Sequence, residues 1–138
     1  MAGIDYSPLA KAIGRLGEGL EALGREPENT LYRDAVIQRF EFTYGLAASL
    51  LERYLSQATP VPLGEKMTFP TLIRTGSQMG LLRSGWDVWQ KFREARNLTS
   101  HVYNEDVARR VVESIPAFAE EAAFLLRQLE SAEGRDGN

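Results

Sequence analysis

Residues 30–56 read TLYRDAVIQRFEFTYGLAASLLERYLS. Within them Val36, Ile37, Phe40, Tyr44, Ala47, Ala48, Leu51, Tyr54 and Leu55 recur at helical spacing, which predicts one long helix from about Thr30 to Ser56. The apolar arc is wider than a single stripe. A helix that is apolar around so much of its circumference is central: it touches several neighbours, or lends part of its surface to a partner subunit. This segment is read as the spine of the fold.

Upstream, Ser7 followed by Pro8 reads as an N-cap with proline at the first helical position. Leu9, Ile13, Leu16, Leu20 and Leu23 then mark one amphipathic helix ending near Gly24. Gly14, Gly17 and Gly19 each weaken it by roughly 1 kcal/mol relative to alanine, so packing has to hold it. Downstream, ATPVPLGEKMTFP carries three prolines and a glycine and reads as an irregular connection. A shorter third helix is expected over Thr68 to Leu82. Ser84 with Asp87 resembles a capping box that opens a fourth helix through Trp86, Trp89 and Phe92. Asn104 is placed to cap a fifth, carrying Val107, Val111, Ile115, Phe118, Ala122, Leu125 and Leu129, with a kink expected at Pro116. Residues 132–138 are expected to fray. No strand-like alternation competes and no repeat is found, so the chain reads as a single all-α domain over residues 1–138, an antiparallel four- to five-helix up-and-down bundle.

Composition narrows the function classes. There is no cysteine, which excludes a disulfide framework and a thiolate metal site. No apolar run spans a membrane and the first residues lack the build of a signal peptide, so a cytoplasmic address is expected. The net charge of −3 gives no general attraction for nucleic acid; a polyanion site must be local. Residues 83–110 supply the positive balance, with six Lys and Arg against four Asp and Glu.

The same segment holds REARNLTSHVYNE, residues 93–105, with the only histidine of the chain, His101. On a wheel turning 100° per residue with Arg96 at zero, Trp89 falls near 20°, Phe92 near 320° and Tyr103 near 340°. Arg96 therefore lies within an apolar stripe and needs an acceptor. That acceptor is either a carboxylate of the spine, Glu41 or Asp34, or a phosphate held in a cleft. His101 falls near 140°, on the polar side with Asn97 and Glu94, and roughly 7.5 Å along the axis from Arg96. One straight helix does not bring the two together. Either the last turn unwinds and swings the histidine back, or a twofold axis sets the same helix of another subunit alongside. Two imidazoles and two guanidiniums in such a cleft suffice for RNA cleavage, because the ribose 2′-hydroxyl supplies the nucleophile and no metal is needed.

Arg96, Asn97 and His101, with Tyr103 two residues on, resemble the signature of the HEPN superfamily: arginine, a polar residue, then histidine, in the extended form ending His-x-Tyr. The likeness extends to the opening GIDYSPLAKAIGRL, the block RDAVIQRFEFTYGLAASLLERYL, a tryptophan before the motif and an apolar closing helix. The branch it is similar to is the nucleotidyltransferase substrate-binding, or HepT-like, proteins. The resemblance implies a helical bundle that forms a homodimer and pairs with a small nucleotidyltransferase, an MntA-like antitoxin. It implies a metal-independent ribonuclease toxin in which Arg96 grips phosphate, His101 moves protons and Asn97 orients the site. Tyr103 matches the tyrosine that the antitoxin modifies with AMP, which would add charge and bulk beside the cleft and repel RNA. The older family name implies an alternative: a non-catalytic subunit that presents nucleotide or substrate to the nucleotidyltransferase. Gly45 and Ala48 stand where relatives often carry an acidic residue and a tryptophan, an altered spine surface.

Three further features have two readings each. Lys91, Arg93, Arg109 and Arg110 are either a basic patch for RNA or a solvated face interleaved with Glu94, Glu105 and Asp106; Lys91 and Arg93 are taken as nucleic-acid contacts. Trp86 and Trp89 either stack on bases or, as their spacing with Phe92 favours, pack in the core. Glu120 and Glu121 are adjacent, so their side chains diverge on a helix and no histidine joins them; no metal and no cofactor are expected.

Overall fold

The computed structural model describes residues 3–59 and 67–136, with side chains described through residue 133. Five helices follow in chain order: α1 Ser7–Arg25, α2 Thr30–Ala58, α3 Phe69–Gln78, α4 Trp86–Leu98 and α5 Glu105–Asp136. A 3-10 turn, Thr99–His101, joins the last two. The fold is all-α, and no strand occurs among the described residues. Most of the Pro-rich connection, residues 60–66, lies outside the described residues, as do residues 1–2 and 137–138.

α2 is the spine. It packs against each of the other four helices, and Val36, Phe40, Ala47 and Leu55 on it are fully buried. Asn29 starts it, its side-chain oxygen accepting from the Tyr32 N–H at 3.1 Å. Phe40, Tyr44, Phe92 and Trp89 gather around Phe118 of α5, with ring centroids 5.1 to 5.9 Å from it. This aromatic knot, contributed by three helices, sits under the motif segment and gives α4 a fixed seat. Trp89 is thus core. Trp86 is half-buried and meets Phe69 edge-on.

Three helix ends differ from expectation. α1 begins at Ser7, but Ser7 does not cap it; Asp5 does the work, accepting from the Ser7 N–H at 3.0 Å and its hydroxyl at 2.7 Å. α3 stops at Gln78 rather than Leu82, because Gly80 takes a left-handed φ of 78° and closes the end. Gly80 N–H donates to Ser77 O and Leu81 N–H to Gly76 O, the two bonds of a Schellman motif. The Ser84 capping box does not form. Gly85 is the N-cap of α4, while the Ser84 N–H and hydroxyl donate to Glu121 of α5 at 3.2 and 2.9 Å.

α5 is capped as expected: Asn104 Oδ1 accepts from the Asp106 and Val107 N–H groups at 2.9 and 3.2 Å. It runs through Pro116 without ending. It also continues through Asp136, into the stretch expected to fray. Ala132 is buried there, and Glu133 accepts from the Ile4 N–H and the Tyr6 hydroxyl at 3.3 and 3.2 Å, so the first residues of the chain hold down this turn.

Candidate functional site

α4 carries Arg96 one turn beyond Phe92, whose burial in the aromatic knot sets the rotation of the helix. The Arg96 guanidinium emerges at the α2–α4 seam. Its Nη1 donates to Thr99 Oγ1 at 3.1 Å and lies 3.6 Å from Glu41 Oε2. Thr99 is buried, and its hydroxyl donates in turn to the Arg96 carbonyl at 2.7 Å. Of the two acceptors considered from the sequence, Glu41 is the partner; Asp34 pairs with Arg33 at 3.4 Å. The Arg96–Glu41 pair is open, with side-chain exposures of 42% and 37%. Arg96 is therefore not the buried charge that its place in an apolar stripe suggested. A pair so accessible contributes about 0–1 kcal/mol and yields readily to a competing anion.

His101 is exposed at the end of the 3-10 turn, and its ring meets that of Tyr103 edge-on with centroids 6.2 Å apart. Tyr103 is 83% exposed. It lines a groove of about 280 Å³ with Arg33, Asp34, Glu41, Val102 and Glu105. Arg33 and Glu105 bond there at 2.6 Å, and the guanidinium holds the Glu105 carboxyl below its ordinary range. Glu41 thus belongs to both places: it pairs with Arg96 and forms one wall of the Tyr103 groove.

Tightening of the chain after Leu98 does not swing His101 back to Arg96. A 3-10 turn adds about 20° per residue to the helical rotation and carries the histidine further round. Among the described residues no hydrogen bond joins the two side chains. Asn97 is exposed, one position from Arg96 and clear of the core.

The basic residues separate. Arg93 is on the Arg96 side, its guanidinium 5.2 Å above the Phe69 ring. Lys91 instead lines the groove between α4 and α5, with Glu94, Ala95 and Arg110. Arg109 and Arg110 face Asp106 and Glu94 at 3.4 and 3.9 Å. The four cations considered from the sequence do not form one patch.

Three residues at this seam escaped sequence reasoning. Thr99 had a signal, its three-residue spacing from Arg96 at a helix end. Phe69 had none, since it arrives from α3. Tyr44 was assigned to the core, which is where its ring sits. Burial pushes its hydroxyl up to about 12, with Arg93 and Arg96 pulling the other way, so both cations act on that phenol.

No helix of the described residues is long and apolar enough to cross a membrane. Residues 4–131 match the family model described as nucleotidyltransferase substrate binding protein like. A probable ribonuclease HepT from Haemophilus influenzae is 35% identical over 103 residues, spanning 74% of this chain and 69% of the relative. A solved structure from the same organism, described as having the fold of a substrate binding domain of a nucleotidyltransferase, superposes with a TM-score of 0.82 at 26% identity, covering 91% of this chain and 99% of that one. With the family model spanning nearly its whole length and an all-α architecture shared with that structure, the chain belongs to the nucleotidyltransferase substrate-binding family.

Proposed function

We propose that this protein is a metal-independent endoribonuclease, the toxin of a toxin–antitoxin pair, whose site is completed by two copies of Arg96 and His101 at a homodimer interface. The observation that carries the reading is the open Arg96 guanidinium, held by Thr99 and weakly by Glu41, five residues before an exposed histidine. The similarity to a probable ribonuclease HepT supports it.

In this mechanism an RNA phosphate displaces Glu41 from Arg96, and the two guanidiniums of the dimer neutralise the charge that builds on the phosphoryl oxygens. One imidazole takes the proton of the ribose 2′-hydroxyl. The 2′-oxygen bonds to phosphorus while the bond from phosphorus to the 5′-oxygen breaks, and the second imidazole gives that leaving oxygen its proton. The products are a cyclic phosphate and a 5′-hydroxyl. Asn97 orients the site. A partner nucleotidyltransferase silences it by adding AMP to Tyr103, whose phenol is open to solvent and whose ring touches that of His101.

Purified protein is expected to cut single-stranded RNA with EDTA present, leaving cyclic phosphate ends, and His101→Ala is expected to lose this activity. Full cleavage by that variant would overturn the assignment. The likeness to a substrate binding domain favours a second reading, in which the protein is a non-catalytic subunit that presents nucleotide to the nucleotidyltransferase. Under it neither protein cuts RNA, and incubation with the partner and ATP still labels Tyr103.

A further inference from the structure

Arg93 stands apart from the other arginines near the motif. Arg33, Arg96, Arg109 and Arg110 each face a carboxylate. Arg93, among the described residues, has none; its guanidinium rests over the Phe69 ring instead. An aromatic face restrains a guanidinium without neutralising it, leaving the N–H edge free for an anion. Arg93 is three residues before Arg96, so the two side chains are neighbours on one face of α4. The Tyr44 phenol feels both charges, and its ring packs 5.9 Å from that of Phe69. Phe69 is itself pinned, 5.8 Å from Trp86 and edge-on to it. Three helices thus converge on one cation that the fold holds in place and leaves unpaired.

We propose that Arg93, with Phe69 as its support, forms a phosphate subsite beside Arg96 that takes the RNA backbone phosphate next to the one Arg96 holds. The subsite rests on the ribonuclease reading. It adds one positioning residue, Phe69, that lies outside the Arg96–Tyr103 motif, and it excludes Lys91, which faces the α4–α5 groove. Restraint matters here because a free arginine loses rotamer entropy when it grips a phosphate; one already laid on a ring loses less.

The test measures binding of a labelled single-stranded RNA oligonucleotide to the full-length His101→Ala protein across a salt series, with ATP as a second ligand. Arg93→Gln is expected to weaken RNA binding about tenfold and to make the log–log salt slope shallower by about 0.7, the loss of one phosphate contact. Phe69→Leu, which keeps bulk and removes the aromatic face, is expected to weaken binding about threefold with the salt slope retained. Lys91→Gln leaves it unchanged. Equal effects of Arg93→Gln and Lys91→Gln would sink the subsite while leaving the ribonuclease reading intact, provided the parent protein cuts RNA. Binding of ATP but not RNA, with the same dependence on Arg93, would overturn the RNA assignment and the ribonuclease reading together. Because Arg93 is exposed, its variant tests the subsite even if Phe69→Leu loosens α3.

Discussion

Two arginine–glutamate pairs flank α4; both arginines are half-open, but their carboxylates sit in opposite surroundings. Before its N-terminus, Arg83 Nε donates to Glu121 at 2.9 Å, and Glu121 is 2% exposed. The same carboxylate accepts from the Ser84 N–H and hydroxyl, so it is paired and saturated with donors. Near the C-terminus, Arg96 meets Glu41 at 3.6 Å with both side chains open to water. A buried, fully bonded carboxylate fixes geometry; removing it strands donors that have no other partner. A loose exposed pair fixes little and is free to exchange one anion for another. The first pair anchors the turn from which α4 departs, and the second lies where the candidate chemistry is.

The sharpest way to break this contrast is to remove Glu121. Glu121→Ala is expected to cost about 3 kcal/mol of stability, read as a lower denaturant midpoint, because it strands the Ser84 donors and opens a cavity beside α5. A loss under about 1 kcal/mol would show that water or Glu120, which also reaches Arg83 at 3.4 Å, takes over the role. Glu41→Gln is expected to change stability by less than about 1 kcal/mol. The same variant is expected to raise RNA affinity about threefold, since the phosphate then meets an unpaired guanidinium. Weaker binding would mean that Glu41 orients Arg96 for its ligand rather than competing with it.

The smallest effect concerns the seam between the two helices. Tyr44 ionises near 10 when unfolded and near 12 in the fold, so the native state favours the neutral phenol. The stability this contributes is whole below pH 10 and is lost as pH rises through 12. Tyr44→Phe should flatten the alkaline decline of unfolding free energy in that window. Tyr6, raised by its own burial and by Glu133, keeps its contribution in both proteins. An unchanged decline would place the alkaline sensitivity elsewhere.

Legibility followed locality. Helix periodicity located the spine, because burial on several sides leaves a wide apolar arc that needs no partner to be recognised. Caps were legible where the side chain acts within its own turn, as that of Asn104 does. They were misread at Ser84, whose donors go to Glu121, 37 residues away. The end of α3 was missed because Gly80 reads as a weak helix residue until its positive φ is seen. At the candidate site, Arg96, Asn97, His101 and Tyr103 were found as a contiguous motif. Glu41 was found as one of two candidates two turns apart, and only packing selected it. Lys91 and Arg93 looked alike as neighbouring cations on one helix; the structure puts Lys91 in the α4–α5 groove and lays Arg93 over the Phe69 ring.

By itself, then, the chain determined the all-α class, the approximate spans of the helices, the identity of the spine and the segment that carries the candidate chemistry. All of these depend on periodicity and on groups close together along the backbone. Which glutamate is buried, that Arg93 rests on an aromatic ring rather than against a carboxylate, and which way His101 faces after the 3-10 turn were decided only when the helices packed. Each of those outcomes depends on a desolvation or an electrostatic partner supplied by a different helix or by the exact end of one, and such partners have no fixed spacing along the chain.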